Sequence, residues 1–279
     1  MIRSKTINDI VVKSVVISDK PKDKILGSDL FPKLNANILI TAPKNSGKTT
    51  VIYRIIDECA DKDTHVIIFA ATVNNDPMWK EIKKMLQKKK IRYSSYISIF
   101  TDTGQNIVSA LIETLQDDAN IGDDKFDPNE KKVVLKKYPI MLFEEITVEK
   151  TEPVKKKKIE AVDYLIIFDD LSDELKNRAI PKLMKIQRHF SSKIIISSQS
   201  YVDADIRIRK GNFDYLLLFK GITDDDLFQI SKEQAISIPF ELFDTLYHAA
   251  TKEKPHFFYV DKDGIYRKDF NKEYEILEI

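Results

Sequence analysis

Eight residues have the spacing of a phosphate-binding loop. They are Ala42, Pro43, Lys44, Asn45, Ser46, Gly47, Lys48 and Thr49, and Thr50 follows them. The spacing fits G-x-x-x-x-G-K-[ST], with Ala42 in place of the first Gly. In such a loop, backbone N–H groups surround the phosphates, Lys48 contacts the β- and γ-phosphates, and Thr49 holds Mg²⁺. An apolar run before the loop and helical periodicity after it favour this interpretation over a chance match in a turn.

A second candidate group ends an apolar run, where Tyr164 to Phe168 lead into Asp169 and Asp170. A carboxylate at the carboxyl end of a buried strand can stand beside a phosphate-bound Mg²⁺, so we assign Asp169 to the metal. Asp170 then becomes the candidate general base that polarises the attacking water. The alternative for Asp170, and for Asp173, is a helix cap.

Three further side chains are candidates because of where they follow strands. Gln199 ends a buried run, where its amide could touch both the γ-phosphate and the water, although polar residues at strand ends are common. Arg207 and Arg209 come next in a predicted loop. Either one could reach the nucleotide of a neighbouring subunit as a charge-stabilising finger, or could be an ordinary surface arginine.

Buried strands that alternate with helices must position these residues. The predicted strands are 38–40, 65–70, 96–100, 164–170, 193–200 and 214–220, and the predicted helices start at Lys48 and Asp224 or span 77–89, 105–116, 174–189 and 239–250. A hairpin of residues 257–260 and 264–267 is predicted to close the chain. This alternation predicts an α/β fold with a mainly parallel sheet and helices on both faces.

The domain prediction is one α/β domain with additions. Residues 1–34 are interpreted as an N-terminal lead-in, with a possible strand from Ile10 to Val16, and residues 35–279 as the domain itself. Within it, residues 117–160 are dominated by charge and are interpreted as an insertion or a partly disordered loop. The run from Lys155 to Lys158 is either a solvated turn or a contact for a phosphate backbone.

Composition sets limits on partners and location. The chain has 279 residues, 43% of them hydrophobic, and a net charge of +1, so only local basic patches could attract nucleic acid. Its single cysteine, Cys59, excludes an intramolecular disulfide and suits a reducing compartment. No apolar run approaches the roughly 20 residues that span a membrane, and the N-terminus lacks a signal-peptide core.

Taken together, the motifs resemble the FtsK–HerA superfamily of ring translocases, and within it the poxvirus-type genome-packaging ATPases of large DNA viruses and virophages. The resemblance covers about Asn35 to Ile230. Besides the two motifs above, it rests on the segments 74–79, 188–189, 198–201, 206–207 and 216–220. Only the phosphate loop and Ile166 to Leu171 are shared by many ATPases, so the joint order of all the segments makes the resemblance specific.

The resemblance implies a P-loop NTPase fold of the RecA/ASCE-like type and an ATPase that uses Mg²⁺. It also implies a homo-oligomeric ring, double-stranded DNA as the translocated polymer, capsid or virion vertex components as partners, and the host cytoplasm (a viral factory) or the virion as the location. Arg188 joins Arg207 and Arg209 as a candidate finger. Asp170 departs from the more usual Glu, which leaves the identity of the base open, and residues 117–158 do not align.

Three other classes of function compete with this interpretation. A small-molecule kinase would want an arginine-rich lid, but residues 117–160 contain no Arg. A GTPase would want N-K-x-D, and the segment that starts at Asn271-Lys272 lacks the Asp. A non-catalytic scaffold is disfavoured by the intact Lys48, Thr49 and paired carboxylates. The alternative to the leading interpretation is a P-loop NTPase of another kind, either such a kinase or another DNA-transfer motor, that of a mobile element.

Overall fold

A nine-stranded mixed sheet forms the centre of the computed structural model, which describes residues 24–121, 159–171 and 173–276. The sheet strands are β2 (Ala36–Thr41), β3 (His65–Ala70), β4 (Arg92–Tyr96), β6 (Tyr164–Asp169), β7 (Ser192–Ser198), β8 (Tyr215–Phe219), β9 (Phe257–Asp261), β10 (Tyr266–Lys268) and β11 (Lys272–Glu273). Their spatial order is β11-β10-β9-β8-β2-β7-β6-β3-β4. The six strands from β8 to β4 are parallel, and β9, β10 and β11 continue the sheet in antiparallel pairs.

Helices cover both faces of the sheet, as the sequence predicts. They are α1 (Lys48–Cys59), α2 (Pro77–Lys89), α3 (Ile107–Ile121), α4 (Ala179–Ile186), α5 (Ile206–Arg209), α6 (Asp224–Glu233) and α7 (Phe240–Ala250). The apolar sides of α1 and α2 pack in one core cluster, and those of α3 to α7 pack in the other. Along the central strands the side chains alternate between the clusters: Ile166 and Phe168 face one, and Leu165 and Ile167 face the other. This explains why these strands are apolar throughout.

Two predicted elements differ from the structure. The strand predicted at 96–100 lies instead at Arg92–Tyr96, where the sequence RYSSY is half-exposed. β4 is the edge strand and needs no apolar face on both sides, whereas the apolar Ile99 is buried from the loop that follows. The helix predicted at 174–189 is divided into Glu174–Lys176, α4 and Gln187–Phe190. The extended backbone of Asn177 separates the first part from α4, whereas α4 continues into the tighter 3₁₀ turn at Gln187 with right-handed backbone.

The N-terminal segment that the structure describes packs against the core rather than joining the large sheet. β1 (Lys24–Ile25) pairs in parallel with β5 (Ile159–Glu160), and Phe31 is fully buried in the cluster that contains α1. The predicted strand at Ile10–Val16 and the Lys155–Lys158 run lie outside the described residues, as does most of the charged segment 117–160. The division at residue 34 stays a prediction.

Candidate active site

The phosphate-loop sequence joins β2 to α1, at the edge of the sheet where the parallel strands end. We call this the carboxyl edge. The loop turns through Asn45 (φ 59°) and Gly47 (φ 94°), and Lys48 is the first residue of α1. Left-handed backbone at Gly47 is what a glycine permits without a steric cost. Ala42 is fully buried and is not among the described residues with positive φ, so this position has no need of glycine.

Lys48 meets both candidate carboxylates. Its Nζ lies 3.3 Å from Oδ1 of Asp169 and also forms an ion pair with Asp170. All three groups are enclosed to different degrees: Lys48 and Asp169 are buried, and Asp170 is half-buried. Asp170 has a positive φ of 53°, and its N–H donates to the carbonyl of Ser197 (3.1 Å). A non-glycine residue held in this region is strained, as is often seen at functional sites.

Burial dominates the electrostatics of Asp169. Desolvation raises the pKa of this carboxyl above its usual value, although the nearby Lys48 ammonium and the hydroxyl of Ser197 oppose the shift. A carboxylate that is costly to keep charged gains from a nearby cation. Bound Mg²⁺ would provide that cation.

Polar atoms around the loop fit phosphate and Mg²⁺. Among the described residues, the buried hydroxyls of Thr41 and Ser46 have no hydrogen-bond partner. Buried hydroxyls are usually bonded, so these two atoms are suited to a ligand with many acceptor oxygens. Thr49, the second residue of α1, is half-buried at the helix N-terminus, where unpaired N–H groups favour anions. Thr49 and Asp169 are the residues that would hold the metal.

Gln199 lies between the two motifs. It follows β7 directly, and β7 is placed between β2, which carries the phosphate loop, and β6, which ends in Asp169. The register pairs Thr41 with Ser198 and Asp169 with Ser197. Gln199 is half-buried and therefore stands at the same edge, one residue beyond the strand. Its role as a sensor of the γ-phosphate stays a prediction.

Among the described residues, Arg207 makes no contact with the phosphate loop, Asp169 or Asp170. It lies in the short helix α5 rather than in a loop, and its exposed guanidinium is held by the carboxylate of Asp205, with Nε and Nη2 each 2.7 Å from an oxygen. This fork, made of two hydrogen bonds from the guanidinium to the carboxylate, lowers the pKa of the Asp205 carboxyl to about 2. The carbonyl of Arg207 accepts from Asn212, whose own carbonyl accepts from Asn37 near the start of β2. These bonds tie the backbone of α5 to the end of the sheet where the parallel strands begin, which we call the amino edge. Nη2 of Arg207 also lies 3.5 Å from the carbonyl of Lys176, in the turn after β6.

The other two candidate fingers have different surroundings. Arg209 is buried, pairs with Glu233 (3.3 Å) and stacks over the ring of Tyr201 at 5.0 Å, so it would have to break these contacts to reach another molecule. Arg188 is exposed and precedes β7, which places it at the amino edge. The structure therefore leaves Arg207 and Arg188 as accessible candidates.

Comparison with known proteins gives matches among solved structures alone. No family model matches the chain, and no curated protein matches it. One similar structure is the genome packaging NTPase B204 from Sulfolobus turreted icosahedral virus 2 in complex with AMP. It is 16% identical with a TM-score of 0.49, and the match covers 88% of this chain and 100% of that one.

Two other similar structures belong to larger proteins. The cytoplasmic domain of the Thermomonospora curvata type VII secretion ATPase EccC is 10% identical (TM-score 0.46), over 82% of this chain and 24% of that one. The pCW3 conjugation coupling protein TcpA with ATPγS is also 10% identical (TM-score 0.44), over 81% and 57%. Within the part of the chain that the structure describes, no helix combines the length and apolar character needed to cross a membrane.

Two residues that sequence reasoning missed pack against the phosphate loop. A Cβ added to Gly221, which has φ of 110°, would lie 2.9 Å from Cγ of Pro43, and Pro255 comes within 3.3 Å of the corresponding position on Gly47. Gly221 follows β8 and Pro255 precedes β9, so both belong to loops at the carboxyl edge. The one signal in the sequence was a glycine directly after the predicted strand 214–220.

Proposed function

We propose that this protein hydrolyses ATP with Mg²⁺ and uses the energy, as a ring of identical subunits, to move double-stranded DNA into a viral capsid. One observation carries the catalytic part: the buried Lys48, at the start of α1, lies between Asp169 and Asp170. An ammonium with two carboxylates beside a phosphate-binding turn has the charges that phosphoryl transfer requires. The protein would act in the host cytoplasm or in the virion.

Each residue has a distinct part in the proposed reaction. Lys48 leaves the carboxylates and contacts the β- and γ-phosphate oxygens, which stabilises the charge that develops on them. Asp169 and Thr49 hold the metal, which neutralises phosphate charge when bound. Asp170, released from Lys48, orients the attacking water and accepts its proton. Gln199, at the end of β7, contacts the γ-phosphate and the water.

The proposal that the protein moves double-stranded DNA rests on the order of motifs in the sequence. The proposal that it forms a ring rests on that order and on Arg207. This arginine is exposed and, among the described residues, makes no contact with its own phosphate loop, so we assign its role in hydrolysis to the site of another subunit. The fork to Asp205 holds the guanidinium in one orientation before it meets that site. A finger supplied by a neighbour makes turnover depend on assembly.

Mixing two inactive variants tests the shared site. Arg207→Ala lacks the finger and Asp170→Asn lacks the base, so each alone should be nearly inactive. In mixed rings about a quarter of the interfaces would join an intact Asp170 to an intact Arg207 from the neighbour. We expect ATP turnover to return partly in the mixture, once native mass measurements confirm that the variants have assembled together.

The matched control mixes Lys48→Ala with Asp170→Asn. Both defects lie in the same half of the site, so no mixed interface has an intact Lys48 and Asp170 together and turnover should not return. If Arg207→Ala and Asp170→Asn also fail to complement, Arg207 is not a finger in trans, and Arg188→Ala takes its place in the same design. The DNA partner is tested separately, because duplex DNA should raise the turnover of the wild-type protein.

A further inference from the structure

Helix α2 and the residues just after it form a strongly basic surface. The segment 77–92 contains Arg92 and six lysines: Lys80, Lys83, Lys84, Lys88, Lys89 and Lys90. Its one acidic residue is Glu81, so the segment has a net charge of +6 in a chain whose total is +1. Positive charge is therefore concentrated at this place rather than spread over the molecule. We call the exposed row Lys80, Lys84 and Lys88 the α2 lysine row.

Internal partners account for a part of this charge. Lys89 is 2.5 Å from a carboxylate oxygen of Asp57, Lys84 is 2.6 Å from Glu81, and Lys83 donates to the amide oxygen of Asn74. Among the described residues, no carboxylate lies within ion-pair distance of Lys80, Lys88 or Lys90. The surface keeps an excess of cations that nothing in the described structure neutralises.

Folding does not require the α2 lysine row. The opposite side of α2 supplies the packing, since Trp79, Ile82, Met85 and Leu86 are buried. The three lysines follow one another at four-residue spacing, about 6 Å apart along the helix. Like charges at this spacing oppose helix formation. A pattern that acts against local stability on a fully exposed face fits contact with a polyanion.

The row also starts close to the candidate active site. In the sheet, Ala70 at the end of β3 lies opposite Asp169 at the end of β6. The chain then makes a short turn, and Asp76 caps α2 by accepting from the N–H of Met78 at 2.8 Å. One short loop therefore joins α2 to β3, the strand that pairs with the proposed metal-binding strand β6.

We propose that the α2 lysine row binds the phosphate backbone of duplex DNA. The proposal rests on the proposed function, from which it takes the class of polymer, and it adds the surface that grips the polymer. Three ammonium groups in a line bind backbone charge and not sequence. The exposed amide of Gln87 lies on the same face of α2, but it donates to the hydroxyl of Tyr93 at 3.1 Å. Binding through them releases counterions and is weakened by salt.

A second basic surface is the strongest rival and provides the matched control. Lys176, Lys182 and Lys185 are exposed on and beside α4, on the other face of the sheet. They are fewer and less linear than the lysines of α2, and Lys176 lies 3.9 Å from Asp173. A triple change to Gln at these positions removes the same charge as a triple change in the α2 row.

The experiment measures the affinity of the full-length protein for a duplex of about 30 base pairs by fluorescence anisotropy, between about 50 and 200 mM NaCl. The variants are Lys80→Gln/Lys84→Gln/Lys88→Gln and Lys176→Gln/Lys182→Gln/Lys185→Gln. If the α2 row makes three phosphate contacts, its variant should flatten the slope of log K against log salt by about 2.7, while the α4 variant changes it little. Basal ATP turnover of the α2 variant should equal that of wild type, which shows that it folds.

The other outcomes separate the surface from the function. If the salt slope is unchanged in the α2 variant, or becomes flatter in the α4 variant alone, the assignment to α2 is overturned. The proposed function as a DNA motor is then unaffected. If the salt slope becomes flatter by the same amount in both variants, DNA is attracted by the overall positive potential and not by a contact at α2. That result also overturns the assignment. If wild-type protein hydrolyses ATP and binds no duplex, the proposed DNA function fails together with its surface.

Discussion

Two buried lysines stand at opposite ends of the same parallel strands. Lys48 begins α1 at the carboxyl edge and is 8% exposed, and Lys193 is the second residue of β7 at the amino edge and is 1% exposed. Lys48 faces two carboxylates. Lys193 donates to the carbonyl of Leu34 at 2.6 Å, and burial lowers its pKa to about 8.

The difference lies in what surrounds each ammonium. The partners of Lys48 are charged side chains that phosphate and metal can replace, and the neighbouring hydroxyls of Thr41 and Ser46 are unpaired. The partner of Lys193 is a neutral group of the chain itself, which ties the segment before β2 to the sheet. A buried charge therefore marks a functional site only when its partners are exchangeable. Four predictions test this distinction. Three concern activity, from the largest expected effect to the smallest, and the last concerns stability.

The largest effect should follow from removing each lysine in turn. Lys48→Ala should lower ATP turnover by a factor on the order of 10⁴, because it removes the side-chain cation from the phosphates. Lys193→Met keeps a long apolar side chain in the same place and should leave turnover within about twofold of wild type. Steady-state hydrolysis and thermal unfolding of both variants check this. If both variants fold and lose turnover equally, the hypothesis that Lys48 is functional and Lys193 structural is wrong.

Asp170→Asn should separate binding from chemistry at the carboxyl edge. The amide keeps the shape but cannot accept the proton of water, so turnover should fall by about 10² to 10⁴. Binding of ATP with Mg²⁺, measured by calorimetry, should persist. Normal turnover would mean that Asp170 is a strained cap and that the base lies elsewhere. Asp169→Asn is the companion variant, in which Mg²⁺-dependent binding should itself weaken.

A pair of glycines compares the two edges directly. Gly221 (φ 110°) abuts Pro43 of the phosphate loop, whereas Gly211 (φ 66°), which precedes β8 at the amino edge, has no atom within 4 Å of an added Cβ. Both changes to Ala strain the backbone by about 1 to 3 kcal/mol. Gly221→Ala should also weaken nucleotide binding by about tenfold through displacement of the loop. If Gly211→Ala weakens binding equally, the effect is global.

Lys193 predicts a pH dependence of stability. Its pKa is about 8 in the folded chain against 10.5 for the free side chain, so the unfolded state binds more protons between these values. Stability contributed by this group should therefore rise from pH 8 towards 10.5, by up to about 3 kcal/mol. Cys59, whose buried thiol has its pKa raised to about 11, acts in the opposite direction. Comparing urea unfolding of wild type and Lys193→Met at pH 7.5 and 9.5 measures the contribution of the lysine together with its electrostatic coupling to Cys59.

Several features of this protein could be predicted from short stretches of its sequence, because they depend on neighbouring residues alone. The order of apolar strand, loop, Gly47-Lys48-Thr49 and helix requires no distant partner, because spacing along the chain already places the N–H groups and the cation. The strands that lead to Asp169 and Gln199 could likewise be predicted, since strands buried on both faces are apolar throughout. The α/β class and the helix bounds Pro77–Lys89 followed from periodicity and caps of the same kind.

Only the tertiary structure decided which of these residues meet. Lys48 and Asp170 are far apart in the chain and form an ion pair because β7 alone separates β2 from β6. The edge strand at Arg92–Tyr96, the buried Arg209 and the contact of Gly221 with the phosphate loop left little trace in the sequence. Each of these features depends on which residues from distant parts of the chain become neighbours. Strand order decides those neighbours, and it is set by packing across the whole sheet.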